Sequence, residues 1–246
     1  MKKDDEYFKK RMLDLANMAY ERGICTFSDF LNTDELSLFY SFERELSFVN
    51  FEIFGGYEAA ERVLVRFGDL QASYPLAYIH ISPLLKKFSD RLEHRDFLGA
   101  LMNLGIKREV LGDLIIQDNE AYLICLESIS SFIMEELTRI KHTVVKCNLV
   151  DSIPDEGLDR SVIKDIIIPS FRLDAVISEV YKLSRKSGQE AISLRKVFVN
   201  NRLCENNSHI LKVGDSITLR GKGKFIILNE GKATRSGKIK TSIKLY

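Results

Sequence analysis

The sequence contains few cysteines and histidines, and neither residue type is spaced as a set of metal ligands. There are four of each among 246 residues. No two cysteines form a CxxC pair, and each lies beside apolar residues: Cys25, Cys125, Cys147 and Cys204. This pattern favours reduced thiols in the core over a disulfide or a zinc site, which would need four convergent ligands. We therefore expect neither a metal nor another cofactor.

Long apolar runs are also absent. No run of the roughly 18 apolar residues that a membrane-spanning helix needs occurs in the sequence. Residues 1–6, Met-Lys-Lys-Asp-Asp-Glu, lack the apolar core of a signal peptide. These absences predict a cytoplasmic protein that does not contact a membrane.

Sequence patterns of catalysis are missing as well. The chain has no P-loop, nucleophile elbow or paired carboxylates. His94-Arg95-Asp96 resembles the start of a kinase catalytic loop, but the position that such a loop needs as Asn is Leu101, and no glycine-rich ATP loop or DFG motif accompanies it. Asp96 is therefore predicted to cap a helix, and the chain is predicted not to be an enzyme.

The charge is distributed unevenly, although the whole chain has a net charge of only +1. Residues 170–246 hold 16 Lys+Arg and 6 Asp+Glu, a net charge of +10. Residues 1–169 hold 20 Lys+Arg and 29 Asp+Glu, a net charge of −9. Such asymmetry within one chain suggests that the basic part contacts a polyanion.

Residues 1–75 are predicted to form a small α-rich region. Apolar residues recur every three or four positions in residues 4–22 and in Asp34–Glu45, which predicts two amphipathic helices. Phe48–Phe54 alternates and predicts a strand. Tyr57–Phe67 is predicted to be a further helix. No residue here indicates chemistry.

Residues 76–150 are predicted to form a ferredoxin-like domain. Strand and helix patterns follow in the order βαββαβ: Leu76–Ile81, His94–Leu104, Leu114–Gln117, Ala121–Leu126, Ser128–Arg139 and His142–Leu149. RNA-recognition motif domains share this order and stack bases on aromatics of their central strands. Tyr78, His80 and Tyr122 do not reproduce that signature. We expect the fold without that binding mode, and a protein is a candidate partner for this domain.

A linker, residues 151–169, is predicted to precede the basic module of residues 170–246. Within the linker, Ser161–Pro169 is apolar enough to pack against either neighbour. The module shows two helical and two strand patterns: Arg172–Tyr181, Arg185–Leu194, Lys196–Asn200 and Ser216–Arg220. Ser184 is the predicted N-cap of the second helix, and Asn200-Asn201 is a predicted turn with positive φ. The chain as a whole is predicted to be an α+β protein.

Arg185 and Lys186 open the second helix of this module, where their positive charge opposes the helix dipole. A sequence selected for stability alone would avoid cations at this position. If an RNA phosphate lies there, free N–H groups and two cations converge on it. The pair therefore predicts a phosphate contact.

These residues resemble the S-four RNA-binding domain, the αL motif named after a small-subunit ribosomal protein. The match spans about fifty residues at the family's spacing and rests on these segments: Arg172-Leu173-Asp174, Ser184-Arg185-Lys186, Val197-Phe198-Val199-Asn200 and Val213-Gly214-Asp215-Ser216-Ile217. Asn201 replaces the usual Gly, and Asn suits the same backbone conformation. The resemblance implies RNA contact at or near Arg172, Ser184, Arg185, Lys186, Gln189, Arg195, Lys196, Asn200 and Arg202.

The tail from Arg220 to Tyr246 extends the basic surface. It holds eight Lys+Arg against Glu230 alone. Gly221 and Gly223 allow a close approach to phosphate, with Lys222 and Lys224 beside them. These two lysines are predicted to contact RNA. The alternative is a solvated basic hairpin.

The order of the whole chain resembles the bacterial YlmH family. Its middle domain carries His94-Arg95-Asp96-Phe97-Leu98-Gly99-Ala100-Leu101 and Gly105-Ile106-Lys107-Arg108-Glu109, ahead of the S-four module. The resemblance implies a non-enzymatic protein that binds large-subunit rRNA and peptidyl-tRNA in ribosome-associated quality control. We expect the protein to be a monomer.

Three alternatives stay open. Arg172-Leu173-Asp174 resembles the triplet that holds the catalytic Asp of pseudouridine synthases, so an RNA-modifying enzyme is one. A cell-division adaptor that works through the middle domain is the second. The third concerns Arg95, Lys107 and Arg108, which form either a secondary RNA-binding patch or plain surface.

Overall fold

The computed structural model describes residues 3–68, 71–154 and 161–246. Within these residues the chain divides into two units. The first unit holds the residues up to Glu35 and those from Phe42 to 154. The second holds Leu36–Ser41 and the residues from 161 onward. No helix in the described ranges is both long enough and apolar enough to cross a membrane.

Residues 3–68 contain two α-helices and three short strands. The elements are α1 (Lys3–Arg22), β1 (Thr26–Phe27), α2 (Thr33–Ser41), β2 (Phe51–Phe54) and β3 (Leu64–Phe67), with a 3-10 helix at Glu43–Leu46. Met12 and Ala19 of the predicted apolar stripe of α1 are buried, as their spacing predicts, and Ala16 is buried beside them. The strands form an antiparallel sheet in the order β1-β3-β2.

The predicted helix Tyr57–Phe67 is wrong, because a carboxylate from a distant strand takes its backbone N–H groups. Asp113 accepts hydrogen bonds from the N–H of Glu61 at 2.7 Å and of Arg62 at 3.1 Å, and from the Tyr57 hydroxyl at 2.9 Å. These residues form a loop, and only Leu64–Phe67 is regular, as strand β3. Local periodicity does not reveal an acceptor this far away in the sequence.

The middle domain confirms the predicted βαββαβ order. Its elements are β4 (Leu76–Pro83), α3 (His94–Asn103), β5 (Leu111–Gln117), β6 (Glu120–Leu126), α4 (Glu127–Glu136), β7 (Arg139–Ile140) and β8 (Thr143–Val150). The antiparallel sheet has the order β5-β6-β4-β8-β7. Without the short β7, this is the strand order of the ferredoxin-like fold. Both helices pack on one face, where Phe97 and Ile133 are buried against Ile79 and Leu123.

The second unit is built on a seven-stranded sheet. Its elements are β9 (Val162–Ile168), α5 (Leu173–Val180), α6 (Arg185–Ser193), β10 (Val197–Val199), β11 (Arg202–Leu203), β12 (Ser216–Leu219), β13 (Gly223–Ile227), β14 (Lys232–Ala233) and β15 (Ile239–Leu245). The order is β11-β10-β12-β13-β15-β14, and β9 also pairs with β15. Of the predicted linker, residues 155–160 lie outside the described residues. Val162–Ile168 packs as a strand with the C-terminal module.

Helices α5 and α6 cover one face of this sheet. Their buried side chains include Val176, Ile177 and Ile192, which pack with Phe225 and Ile243 of the strands. Val176 and Ile177 belong to the predicted apolar stripe of the first module helix. The hydrophobic effect thus fixes the position of both helices on the sheet. The helices and antiparallel sheets of the two units confirm the predicted α+β fold class.

Replacing Asp113 with Ala is expected to loosen the loop between β2 and β3. Tyr57, Glu61 and Arg62 lose their acceptor, and two of those groups are backbone N–H groups with no helical partner. We expect the free energy of unfolding to fall by about 3 kcal/mol. Urea denaturation measures this change, and amide hydrogen exchange at Glu61 and Arg62 localises it.

The matched control is Glu58→Ala, since Glu58 is exposed in the same loop. It is expected to change the unfolding free energy by less than about 0.5 kcal/mol. Equal effects of the two substitutions would contradict the role assigned to Asp113.

Candidate nucleic-acid interface

The corner between α5 and α6 is closed by a capped turn. Lys182 adopts a φ of 52°, and the Leu183 N–H donates to the Ser178 carbonyl at 2.9 Å. Ser184 is the N-cap of α6, as predicted, and its Oγ accepts from the Ser187 N–H at 3.0 Å. The first turn of α6 therefore leaves its remaining N–H groups toward solvent, beside the exposed side chains of Arg185 and Lys186.

The two helices approach closely because α6 has a glycine where they meet. A Cβ at Gly188 would lie 2.3 Å from the Ser178 Oγ and 3.3 Å from the Asp174 carbonyl oxygen. The Ser178 hydroxyl donates to that carbonyl at 2.7 Å. The contact between the helices holds the start of α6 over the start of α5.

A buried carboxylate, Asp174, organises the polar side of this corner. Asp174 is 0% exposed. Arg172 donates to both of its oxygens, each at 3.1 Å, and the Gln189 amide donates to Oδ2 at 3.0 Å. Arg185 Nε lies 3.7 Å from the same Oδ2. One carboxylate thus gathers three of the residues predicted to contact RNA.

The charges in this cluster do not balance, so a positive surface remains. The hydrogen bonds from Arg172 hold the pKa of Asp174 below its usual value, although burial acts in the opposite direction. The side chains of Arg172 and Arg185 are 35% and 71% exposed, and Lys186 is exposed beside them. One negative charge meets three positive ones, which suits an incoming phosphate.

Two predicted residues, Arg195 and Lys196, lie between α6 and β10. Arg195 has a φ of 59°, and its Nη1 lies 3.8 Å from Glu205 Oε2. Lys196 is exposed, and its carbonyl accepts from the Arg220 N–H at 2.9 Å. Arg220 is predicted only as part of the basic tail and not as an RNA contact, and its guanidinium lies over the Phe198 ring at 5.6 Å from the centroid.

The side chains of Asn200 and Arg202 are engaged within the protein. Asn200 and Asn201 have φ values of 51° and 61°, which confirms the predicted turn. Asn200 donates to Asp215 Oδ1 at 2.8 Å and accepts from the Ser216 N–H at 2.9 Å. Arg202 Nη1 donates to the Tyr40 carbonyl at 3.1 Å, and its guanidinium stacks on that ring at 4.6 Å. Neither side chain belongs to the Asp174 cluster.

Lys222 and Lys224 lie at the β12–β13 hairpin. Gly221 and Gly223, with φ values of 79° and 113°, form its turn. The Tyr181 hydroxyl at the end of α5 donates to the Gly223 carbonyl at 2.8 Å. Lys222 is exposed at the tip. The hairpin is thereby tied to the end of α5 opposite to the Asp174 cluster.

The three residues of the secondary patch have different surroundings. Arg95 and Lys107 have side chains that are 81% and 78% exposed. Arg108 is turned inward, and its Nη1 donates to the carbonyls of Leu111 and Gly112, each at 2.9 Å. Burial lowers the pKa of Arg108 to about 10. Its guanidinium holds the backbone that enters β5, which leaves two exposed cations in the proposed patch.

Of the four cysteines, Cys125 is buried in the core, whereas Cys25, Cys147 and Cys204 are only partly buried. All four are free, and burial raises the pKa of Cys125 to about 12 and of Cys147 to about 11. Among the described residues, no group of His, Cys, Asp and Glu side chains is arranged to hold a metal ion.

A ferredoxin-like domain followed by a helical corner of this charge on a β-sheet defines an RNA-binding protein of the S-four class. Residues 171–217 match the family model of the S4 domain. Residues 71–154 match the model described as "Putative RNA-binding domain in YlmH". The chain therefore carries the RNA-binding domain described for YlmH, followed by an S4 domain.

Two known proteins are similar over long stretches. "Ribosome-associated protein quality control protein P2" of Bacillus subtilis (strain 168) is 26% identical over 242 residues, which cover 95% of this chain and 93% of that protein. The solved structure of "Cell division protein ylmH from Streptococcus pneumoniae" has a TM-score of 0.51 at 15% identity. That match covers 61% of this chain and 93% of the other, and it supports the fold.

Replacing Asp174 with Asn is expected to destabilise the second unit by about 2 kcal/mol at neutral pH, because Arg172 and Gln189 lose a charged acceptor. Because the pKa of Asp174 is lowered in the folded state, the carboxylate contributes its full stabilisation above the pKa of Asp in the unfolded chain, about 3.9. The contribution is lost as the pH falls from there through the lower pKa of the folded state. Thermal unfolding of both proteins at pH 7 and pH 3 measures it.

The difference between the wild type and Asp174→Asn should therefore shrink at pH 3. Asp215→Asn serves as a comparison, since Asp215 is a partly exposed carboxylate in the same unit. A difference for Asp174→Asn that does not depend on pH would contradict the ion-pair role.

Proposed function

We propose that this protein binds structured RNA through the α5–α6 corner and acts on the ribosome without catalysing a reaction. The proposed RNAs are large-subunit rRNA and tRNA, and the proposed process is ribosome-associated quality control. The observation that carries the proposal is the Asp174 cluster, which aligns Arg172, Arg185 and Gln189 beside the capped start of α6.

Physical chemistry favours a phosphate group at this corner. The first turn of α6 combines free N–H groups with the side chains of Arg185 and Lys186. Without an anion, these cations oppose the helix dipole. With an RNA backbone bound, the same groups form charge-assisted hydrogen bonds. The arrangement recognises backbone and shape, so it suits folded RNA rather than a particular sequence.

The ribosomal context rests on the Bacillus subtilis relative. That protein is named for ribosome-associated quality control, and the similarity extends over almost the full length of both chains. The two domains of this chain that match family models are both of RNA-binding families. Similarity over almost the full length of both chains supports a shared process. Which RNA the domains bind is part of the proposal.

An RNA-modifying activity at Arg172-Leu173-Asp174 is disfavoured by geometry. A catalytic carboxylate has to reach its substrate, but Asp174 is fully buried and bonded to Arg172 and Gln189. These bonds use the lone pairs that a nucleophile would need. A binding role therefore accounts for the triplet better than a catalytic one.

Changing both Arg185 and Lys186 to Ala is expected to weaken RNA binding by about tenfold or more near 0.1 M salt. The slope of log affinity against log salt should also flatten by about one for each phosphate contact that is lost. Fluorescence anisotropy with ribosomal RNA fragments over a salt titration measures both quantities, and co-sedimentation with large ribosomal subunits tests the ribosomal context.

The control variant removes two other exposed cations, Lys10 and Arg22 of α1. It is expected to bind nearly as the wild type does. Equal affinity and salt dependence for the wild type and the Arg185/Lys186 variant would show that the corner is not the RNA site.

A further inference from the structure

The sheet of the second unit has a second basic face. Successive side chains of a strand point to opposite faces. Because Phe225, Ile227 and Ile243 pack in the core with the helices, their strand neighbours point the other way. We call that side of β13, β14 and β15 the outer face. It carries four lysines: Lys224, Lys232, Lys240 and Lys244.

The strand register brings these lysines together. Lys232 pairs directly with Lys240 across β14 and β15. Lys240 and Lys244 lie on the same side of β15, about 13 Å apart along the strand. Like charges opposite each other destabilise a sheet. Asp165 offsets that repulsion at Lys240, whose Nζ lies 2.8 Å away, and an anion bound between the two lysines would also neutralise Lys232.

An aromatic ring lies at one end of this row. The ammonium groups of Lys224 and Lys244 lie 5.6 Å and 5.2 Å from the centroid of Tyr246. Tyr246 is partly exposed. Lysines beside an accessible aromatic ring are the combination on which nucleic-acid surfaces hold a phosphate backbone and stack a base.

A cleft of about 450 Å³ lies at the other end of the row. Its lining includes Lys232 and Lys240, together with Ser242 of β15. Two carboxylates also line it, Asp165 and Glu230, and Asp165 lies 2.8 Å from Lys240 Nζ. Both partners of that ion pair are more than half exposed, so water and salt weaken it, and Lys240 can exchange it for a phosphate.

We propose that the outer face is a second RNA-contacting surface, which takes a sugar–phosphate backbone along Lys232, Lys240 and Lys244 and a base against Tyr246. This inference rests on the proposed function. The surface lies on the opposite side of the sheet from α5 and α6, so it contacts a different stretch of RNA from the one at the Asp174 cluster. The surface suits RNA because lysines in a row can contact successive phosphates, and the Tyr246 ring beside them can stack on a base.

The test uses the full chain and a fluorescein-labelled RNA duplex with a single-stranded extension. Fluorescence anisotropy over a KCl titration compares the wild type, a triple variant (Lys232→Ala, Lys240→Ala, Lys244→Ala), the corner variant (Arg185→Ala, Lys186→Ala) and all five changes combined. We expect the triple variant to bind about tenfold more weakly, with a salt slope lower by about 3. The two sets of changes should multiply in the combined variant, because separate sites are additive in free energy.

Two further variants separate RNA contact from folding. Lys232→Arg with Lys240→Arg keeps the charge and should keep the affinity. Asp165→Asn removes the carboxylate that competes for Lys240 and should tighten binding about twofold or more. A triple variant with native unfolding temperature and wild-type RNA affinity would overturn the proposal.

The remaining outcomes distinguish the outer face from the corner, and RNA from an acidic protein. If the corner variant binds RNA more weakly and the triple variant binds as the wild type does, the outer face is not an RNA surface, and the proposed function stands. The reverse result would support the outer face and reject the corner as the RNA site. If the triple variant keeps its RNA affinity but loses binding of a labelled polyglutamate peptide, the surface takes an acidic protein, and the proposal of an RNA surface is wrong.

Discussion

The ion pairs and hydrogen bonds around Asp174 are the interaction on which the candidate site depends. This carboxylate is fully buried at the start of α5, yet it accepts hydrogen bonds from Arg172, which precedes that helix, and from Gln189 of α6. Burying it requires compensation by hydrogen bonds and charge, and Arg172, Gln189 and Arg185 provide both. The side chains that neutralise the carboxylate are thereby held in place at the surface. Stability of the corner and orientation of its cations therefore have the same cause.

The rest of the second unit supports this corner. Gly188 allows the two helices to approach, and the apolar core fixes both on the sheet. The sheet also carries the hairpin with Lys222 and a lysine row on its far side. A small domain that presents cations on both faces of one sheet suits a large folded RNA better than a short strand, because only a large RNA offers backbone in more than one direction.

The predictable parts of the fold are those with local signals. The βαββαβ order, the Ser184 cap and the Asn200-Asn201 turn each follow from periodicity or residue type. The loop at Tyr57–Phe67 could not be predicted in the same way, because Asp113 determines it from another strand. The residues of the candidate site likewise divide into those with a local sequence signal and those whose position only the fold determines. Charge and spacing identified Arg185 and Lys186, but only the fold shows that Arg202 lies against Tyr40 and that Arg220 lies over Phe198.

The most direct measurement is a map of protein–RNA cross-links for the full chain bound to large ribosomal subunits, read by mass spectrometry of the cross-linked peptides. We expect the cross-links to concentrate in residues 172–189, which contain the Asp174 cluster and the start of α6. Cross-links confined to residues 3–35 and 42–154, with none in the second unit, would contradict the assignment of RNA binding to the α5–α6 corner.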